Sequence, residues 1–191
     1  MTIPNFITIG RLFLVPLTIW LIISDEPVAA FWTFVTAGVS DAVDGFIARH
    51  FKQWSVLGSY LDPLADKALL VSIYVAFAII GDLPVWLAIL VVSRDLLIVA
   101  GVVLAWMLGQ PVAIRPRWVS KWNTLAQIVL ASVVLGDQAF DLSLTDLVNV
   151  LIGVVGVLTA TSAAVYAVDW VRHMGADTSD GVPPPPAKGK A

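Results

Sequence analysis

Six apolar runs, each close to the length that crosses a bilayer, follow one another with only brief connections. They cover residues 6–23, 28–49, 58–80, 84–108, 119–135 and 147–171. A hydrocarbon core of ~30 Å takes about 20 helical residues to cross, so each run reads as a membrane helix. The composition agrees, with 59% hydrophobic and 13% charged residues and a mean hydropathy of +0.89. A soluble chain of 191 residues with so little charge could not cover its own surface. The expected fold is all-α, a polytopic membrane bundle of about six transmembrane helices. The first run lacks a basic leader and a small-residue cleavage site, so it reads as a retained helix. Cysteine is absent, which removes disulfides and thiolate metal sites.

The charges are segregated. Arg11, then Arg49, His50 and Lys52, then Arg115, Arg117 and Lys121, then Arg172 with the Lys188/Lys190 tail all fall on one side of this bundle. The other side carries Asp25, Glu26, Asp82, Asp137, Asp141 and Asp146, with no Lys or Arg. The positive-inside rule places the basic side, and with it both termini, in the cytoplasm. Most of the eight tryptophans stand near predicted span ends, where their rings suit the lipid–water boundary. Ahead of the first run, residues 2–8 could either lie along the interface or form a frayed helix start. Residues 1–174 are expected to form one membrane domain, and 175–191, with the run Pro183–Pro186, a disordered tail.

Four aspartates at the basic side carry the chemistry. Asp41 and Asp44 are three residues apart, and Asp62 and Asp66 four apart. On helices each pair presents its carboxylates from one face. The connection between them is short, so the two helix ends must be neighbours. Four carboxylates converging beside apolar runs repel one another and are costly to desolvate. One or two divalent cations held by oxygen ligands resolve that conflict and can also bind phosphate oxygens. Gly45 and Ala48 leave room for a bulky ligand, Gly58 allows close helix approach, and Arg49 can meet a phosphate through two parallel hydrogen bonds. The plainer alternative is a set of span-end charges solvated at the interface.

The full pattern, Asp41-x2-Asp44-Gly45-x2-Ala48-Arg49-x8-Gly58-x3-Asp62-x3-Asp66, resembles the signature of the CDP-alcohol phosphotransferase family. Asn5-x2-Thr8-x2-Arg11-x4-Pro16 is similar to the start of the first helix in related phospholipid synthases. The resemblance therefore covers most of the chain outside the tail. It implies a six-helix membrane enzyme, usually a homodimer, in which an alcohol displaces CMP from a CDP-linked lipid. It implies Asp41, Asp44, Asp62 and Asp66 as ligands of Mg²⁺ or Mn²⁺, two ions in all, with Asp66 also the general base. Gly45, Ala48, Arg49 and Gly58 match positions around the CDP moiety.

The implied donor is CDP-diacylglycerol. For the acceptor, Gly58–Lys67 resembles the branch using glycerol 3-phosphate or phosphatidylglycerol, and Ser93-Arg94-Asp95 with Ser120-Lys121-Trp122-Asn123-Thr124 favours phosphatidylglycerol. Arg94 lies mid-span, where an unpaired Arg costs at least ~2.5–3.5 kcal/mol. It reads either as a contact for the acceptor's phosphate or as an ion-paired structural residue. Neighbours on a helix point roughly 100° apart, so Asp95 need not be its partner. Lys121 could serve the same phosphate or simply anchor the span, and Lys67 could meet a phosphate or balance the carboxylates. Nucleic acid is not an expected partner; membrane lipids are. The expected location is a bacterial inner membrane, with the site at the cytoplasmic face. A small ion or proton transporter is the non-enzyme alternative, but it predicts carboxylates spread through the membrane depth.

Overall fold

The computed structural model describes residues 3–50, 56–107 and 118–176. They form six helices: α1 (Ile3–Ile23), α2 (Pro27–His50), α3 (Val56–Ile80), α4 (Val85–Met107), α5 (Trp118–Phe140) and α6 (Thr145–Ala176). No strand occurs among the described residues. Each apolar run lies in its own helix, and the all-helical expectation holds. By length and composition, two of the described segments are apolar enough to cross a membrane, Trp118–Phe140 and Thr145–Trp170.

All the helices but α4 extend past their apolar runs at one end or both. α1 begins at Ile3, so residues 3–8 belong to the first helix. Pro4 stands in the first turn, where its missing N–H has no intrahelical partner to lose. α5 runs to Phe140, five residues past the predicted limit at 135. The next two residues, Gly136 and Asp137, have roles inside the helix. Gly136 is buried, its Cβ position 3.5 Å from the Phe31 ring on α2, and the Asp137 carboxylate accepts a hydrogen bond of 2.8 Å from the Leu144 amide. α6 runs to Ala176, beyond the domain limit expected at 174. Residues 177–191, the expected tail, lie outside the described residues.

α1 packs on α2 and α3, α2 on α5, α3 on α4 and α5, α4 on α6, and α5 on α6. The core between them is aliphatic and aromatic, with Ile73, Tyr74, Phe77, Leu87, Val91, Leu130 and Leu135 essentially inaccessible. Large apolar side chains also cover the outside: Phe13 and Ile79 are each 72% exposed. An apolar outer surface of this kind suits lipid rather than water. Hydroxyls on the helices are mostly satisfied locally. Those of Thr18, Thr33, Thr36, Ser40, Thr124, Ser132 and Thr161 each donate to the carbonyl four residues earlier, which hides a polar group without a tertiary partner.

Three turns close the end opposite the aspartate motif. Asp25 (φ 59°) follows α1, Gly81 (φ 92°) follows α3, and Asp141 and Ser143 (φ 51° and 57°) join α5 to α6. Left-handed residues directly after a helix let later amides return to its last carbonyls. Here Gly81 and Asp82 both donate to the Phe77 carbonyl, at 3.0 and 2.9 Å. Asp82 also accepts from the side-chain amide of Gln138 in the last turn of α5. The acidic residues that marked this side are thus also its turn-forming residues.

Where α4 crosses α6, Gly156 is a contact point. A Cβ there would stand 3.0 Å from Trp86 Cη2 and 3.1 Å from Cζ3, whereas one at Gly153 would meet nothing within 4 Å. Gly156→Leu is expected to destabilise the protein by about 1–3 kcal/mol through overpacking, while Gly153→Leu is tolerated. Thermal unfolding of the two variants in detergent measures the difference, and equal melting temperatures would refute this packing role.

Candidate active site

The motif is divided between two helices. Asp41, Asp44, Gly45, Ala48 and Arg49 ride on the last turns of α2, and Gly58, Asp62, Asp66 and Lys67 on the first turns of α3. Both helices pack against α1. The side chains of Asp44, Gly45, Ala48, Arg49, Gly58, Asp62 and Asp66 lie outside the described residues. Among the described residues, no group of three His, Cys, Asp or Glu side chains comes together.

Asp41 is described, and it has a partner that the sequence reading left among the topology-setting charges. The Arg11 guanidinium on α1 donates to Asp41 Oδ1 at 2.6 Å. Arg11 is 1% exposed and Asp41 44%, so a buried cation faces a carboxylate that stays partly open. The pair ties α1 to the aspartate helix. Its sequence signal was the Asn5-x2-Thr8-x2-Arg11 spacing, which places Arg11 two turns inside α1, the helix that packs on both α2 and α3.

A second polar cluster lies around Arg94 and Asp95 on α4. Arg94 is 2% exposed. Its Nη1 donates to Asp95 Oδ1 at 2.5 Å, Nη2 to Ser120 Oγ at 2.5 Å and Ser162 Oγ at 2.9 Å, and Nε to Ser162 Oγ at 3.1 Å. The guanidinium carbon also lies 5.7 Å from the Tyr166 ring centroid, within cation–π range. Asp95 is shared: Lys67 Nζ reaches its two oxygens at 2.9 and 3.0 Å. Arg94 is therefore ion-paired, with its sequence neighbour after all, because its long side chain folds back over the helix to meet it. Lys67 balances Asp95.

This cluster joins α3, α4, α5 and α6 at one point. Lys67 adjoins Asp66 in the chain, so the cationic cluster and the aspartate motif share the start of α3. Lys121 stands apart from it, exposed, with its ammonium 5.4 Å from the Trp118 ring centroid. The neighbouring Ser120 makes the contact to Arg94 instead. Sequence reasoning weighed Asp95 only as a possible partner of Arg94, and assigned no role to Ser120, Ser162 or Tyr166. The readable signal was the spacing of Ser120, Asn123 and Gln127, which puts three polar residues on one face of an apolar helix. Asn123 and Gln127 are fully buried. Thr159 donates to Asn123 Oδ1 at 2.8 Å, and Tyr74 donates to the Gln127 carbonyl at 3.1 Å.

The described residues thus give a helical bundle with the aspartate motif divided between α2 and α3 and a buried Arg94–Asp95–Lys67 cluster that includes the residue after Asp66. A family model described as CDP-alcohol phosphatidyltransferase matches residues 1–167. The chain belongs to that family. Among curated relatives it is 33% identical over 181 residues to the cardiolipin synthase (CMP-forming) of Homo sapiens, covering 86% of this chain and 60% of the relative. It is 33% identical over 182 residues to a cardiolipin synthase (CMP-forming) / mitochondrial hydrolase fusion protein of Schizosaccharomyces pombe, covering 87% and 31%. It is also 34% identical over 188 residues to the chloroplastic CDP-diacylglycerol–glycerol-3-phosphate 3-phosphatidyltransferase 1 of Oryza sativa, covering 89% and 57%. The chain thus spans between about a third and three fifths of the length of these relatives.

Proposed function

We propose that this protein transfers a phosphatidyl group from CDP-diacylglycerol to a hydroxyl of phosphatidylglycerol, giving cardiolipin and CMP. The observation that carries the reading is the complete aspartate signature in the sequence, divided between α2 and α3, within a family match over residues 1–167. The names of the human and fission-yeast relatives support the acceptor. The rice relative supports the second reading, in which glycerol 3-phosphate is the acceptor and phosphatidylglycerophosphate the product.

In this reading the acceptor hydroxyl forms a bond to the lipid-side phosphorus of the diphosphate. The bond from that phosphorus to the bridging oxygen breaks, and its electron pair leaves with CMP. Asp66 takes the hydroxyl proton. Asp41, Asp44, Asp62 and Asp66 would hold Mg²⁺ or Mn²⁺, two ions. The fit rests on Asp41: a carboxylate is a hard oxygen donor, and this one remains partly open. Bound cations would neutralise the diphosphate and the departing CMP. Arg11 holds Asp41 in position. Gly45, Ala48, Arg49 and Gly58 line the CDP, and Arg94, Lys67 and Lys121 supply positive charge for the acceptor's phosphate.

The same reading makes all six helices membrane spans, with both termini and the site at the cytoplasmic face of a bacterial inner membrane, and the protein a homodimer. The clustering of the motif at the basic ends of α2 and α3 supports that orientation over a transporter with carboxylates spread through the bilayer. Residues 1–174 act as the membrane domain and 175–191 as a dispensable tail.

Purified protein in mixed micelles with CDP-diacylglycerol and Mg²⁺, offered phosphatidylglycerol or glycerol 3-phosphate in separate reactions, tests the proposal. Cardiolipin and CMP formed with phosphatidylglycerol are expected. Product from glycerol 3-phosphate alone would replace the acceptor, and no CMP with either would refute the activity.

A further inference from the structure

The two members of the Arg11–Asp41 pair differ in access. The Arg11 side chain is 1% exposed and that of Asp41 44%. Arg11 Nη1 lies 2.6 Å from Asp41 Oδ1, the short separation of a charge-assisted hydrogen bond. Arginine stays charged at any ordinary pH, so its claim on that oxygen does not lapse. Asp41 Oδ2 accepts no hydrogen bond from the described residues. The two oxygens of one carboxylate therefore stand differently: Oδ1 is committed to α1, and Oδ2 is open. Because α1 packs along α2, the side from which the guanidinium approaches is fixed by the bundle.

That division bears on which divalent ion can use Asp41. Ca²⁺ takes about six to eight oxygens at about 2.3–2.6 Å and accepts both oxygens of one carboxylate. Mg²⁺ demands a near-octahedral shell at about 2.0–2.1 Å, which a carboxylate bound through one oxygen suits. An ion held by both Asp41 oxygens would share Oδ1 with the guanidinium, and two cations on one oxygen repel strongly where water is scarce. We infer that Arg11 sets the ion preference of the site: by occupying Oδ1 it confines Asp41 to coordination through Oδ2 alone, which favours Mg²⁺ over Ca²⁺. The inference rests on the reading of Asp41 as a metal ligand given above, and deepens it. Arg11 is a positioning residue that acts through Asp41. Groups that hold a ligating side chain in this way tune metal affinity about 10–100-fold.

The test is metal competition on the full chain, purified in detergent and stripped with a chelator. Substoichiometric Mn²⁺ is followed by its electron paramagnetic resonance signal and displaced with Mg²⁺ or Ca²⁺ in separate titrations. The quantity read is the Ca²⁺ dissociation constant divided by that for Mg²⁺. Arg11→Met releases Oδ1 and is expected to lower this quotient at least about tenfold. Loss of a positive charge by itself strengthens binding of both divalent ions alike, so the quotient cancels it. Arg11→Lys keeps a cationic donor for Oδ1 and should leave the quotient within about twofold of the wild type. A merely structural Arg11 would leave the quotient alone, and that result in Arg11→Met overturns the inference. Should Arg11→Met fail to fold by size exclusion and thermal melting, Asp41→Asn decides, because an amide offers a metal one oxygen only. It should weaken Mg²⁺ and Ca²⁺ by the same factor. A larger loss for Ca²⁺ means that Asp41 grips that ion with both oxygens, and overturns the inference. Mn²⁺ binding that is absent from the wild type, or undiminished in Asp41→Asn, overturns the reading of Asp41 as a metal ligand and the inference with it.

Discussion

Asp66→Asn is expected to lower CMP release by about 10²–10⁴-fold, the range over which a positioned general base contributes, and to leave the fold intact. Asn has the size and shape of Asp but accepts no proton at neutral pH. It is also a neutral and poorer ligand for a divalent cation, which pushes the loss toward the upper end. Its neighbour Lys67 is anchored to Asp95 across the α3–α4 contact, so the start of α3 has a tether independent of Asp66. Thermal unfolding should therefore be close to wild type. Single-turnover CMP release, measured beside a melting curve, separates chemistry from folding. Activity within tenfold of wild type would remove Asp66 from the role of base.

Arg94→Met should have the largest effect on stability. The Arg94 and Asp95 side chains are 1% and 11% exposed, and removing one partner of a buried pair typically costs about 3–5 kcal/mol because the remaining charge is stranded. Lys67 still faces Asp95, which sets the expectation at the lower end of that range. Two serine hydroxyls that accept from the guanidinium also lose their donor. Adding Asp95→Leu to Arg94→Met should restore much of the loss, since replacing both members of a buried pair by apolar side chains is often neutral. The comparison is a double-mutant cycle in thermal or SDS unfolding. Additive losses would mean that the Arg94–Asp95 contact contributes no coupling.

The helices were legible in the sequence because lipid leaves few options. A run of about 20 apolar residues favours a helix, and each of the six lies in one. Their ends were less legible. The fifth apolar run gives out at 135, yet Gly136 fits beneath Phe31 and Asp137 caps the next turn. Local composition cannot distinguish a helix that ends from one that changes neighbours. The aspartate motif was readable because its carboxylates recur at helical spacing within a short stretch. The Arg11–Asp41 pair spans 30 residues and the Arg94–Ser162 contact 68. Partnerships at such separations depend on which helices pack together, and periodicity within one helix holds no record of that. Lys67 illustrates the limit: its charge and place beside Asp66 were plain, its partner on α4 was not.

The Arg94 cluster also bears on how the chain is made. Asp95 follows Arg94 immediately and Lys67 precedes it by less than thirty residues, so α3 and α4 can leave the ribosome with their charges already paired. Ser120 and Ser162 arrive 26 and 68 residues after Arg94. At synthesis rates of about 5–20 residues per second, the guanidinium waits several seconds for its last partners. On the six-span reading proposed above, the half-built bundle holds an incompletely solvated charge within hydrocarbon during that interval, and completion of α6 with the arrival of Ser162 ends that exposure.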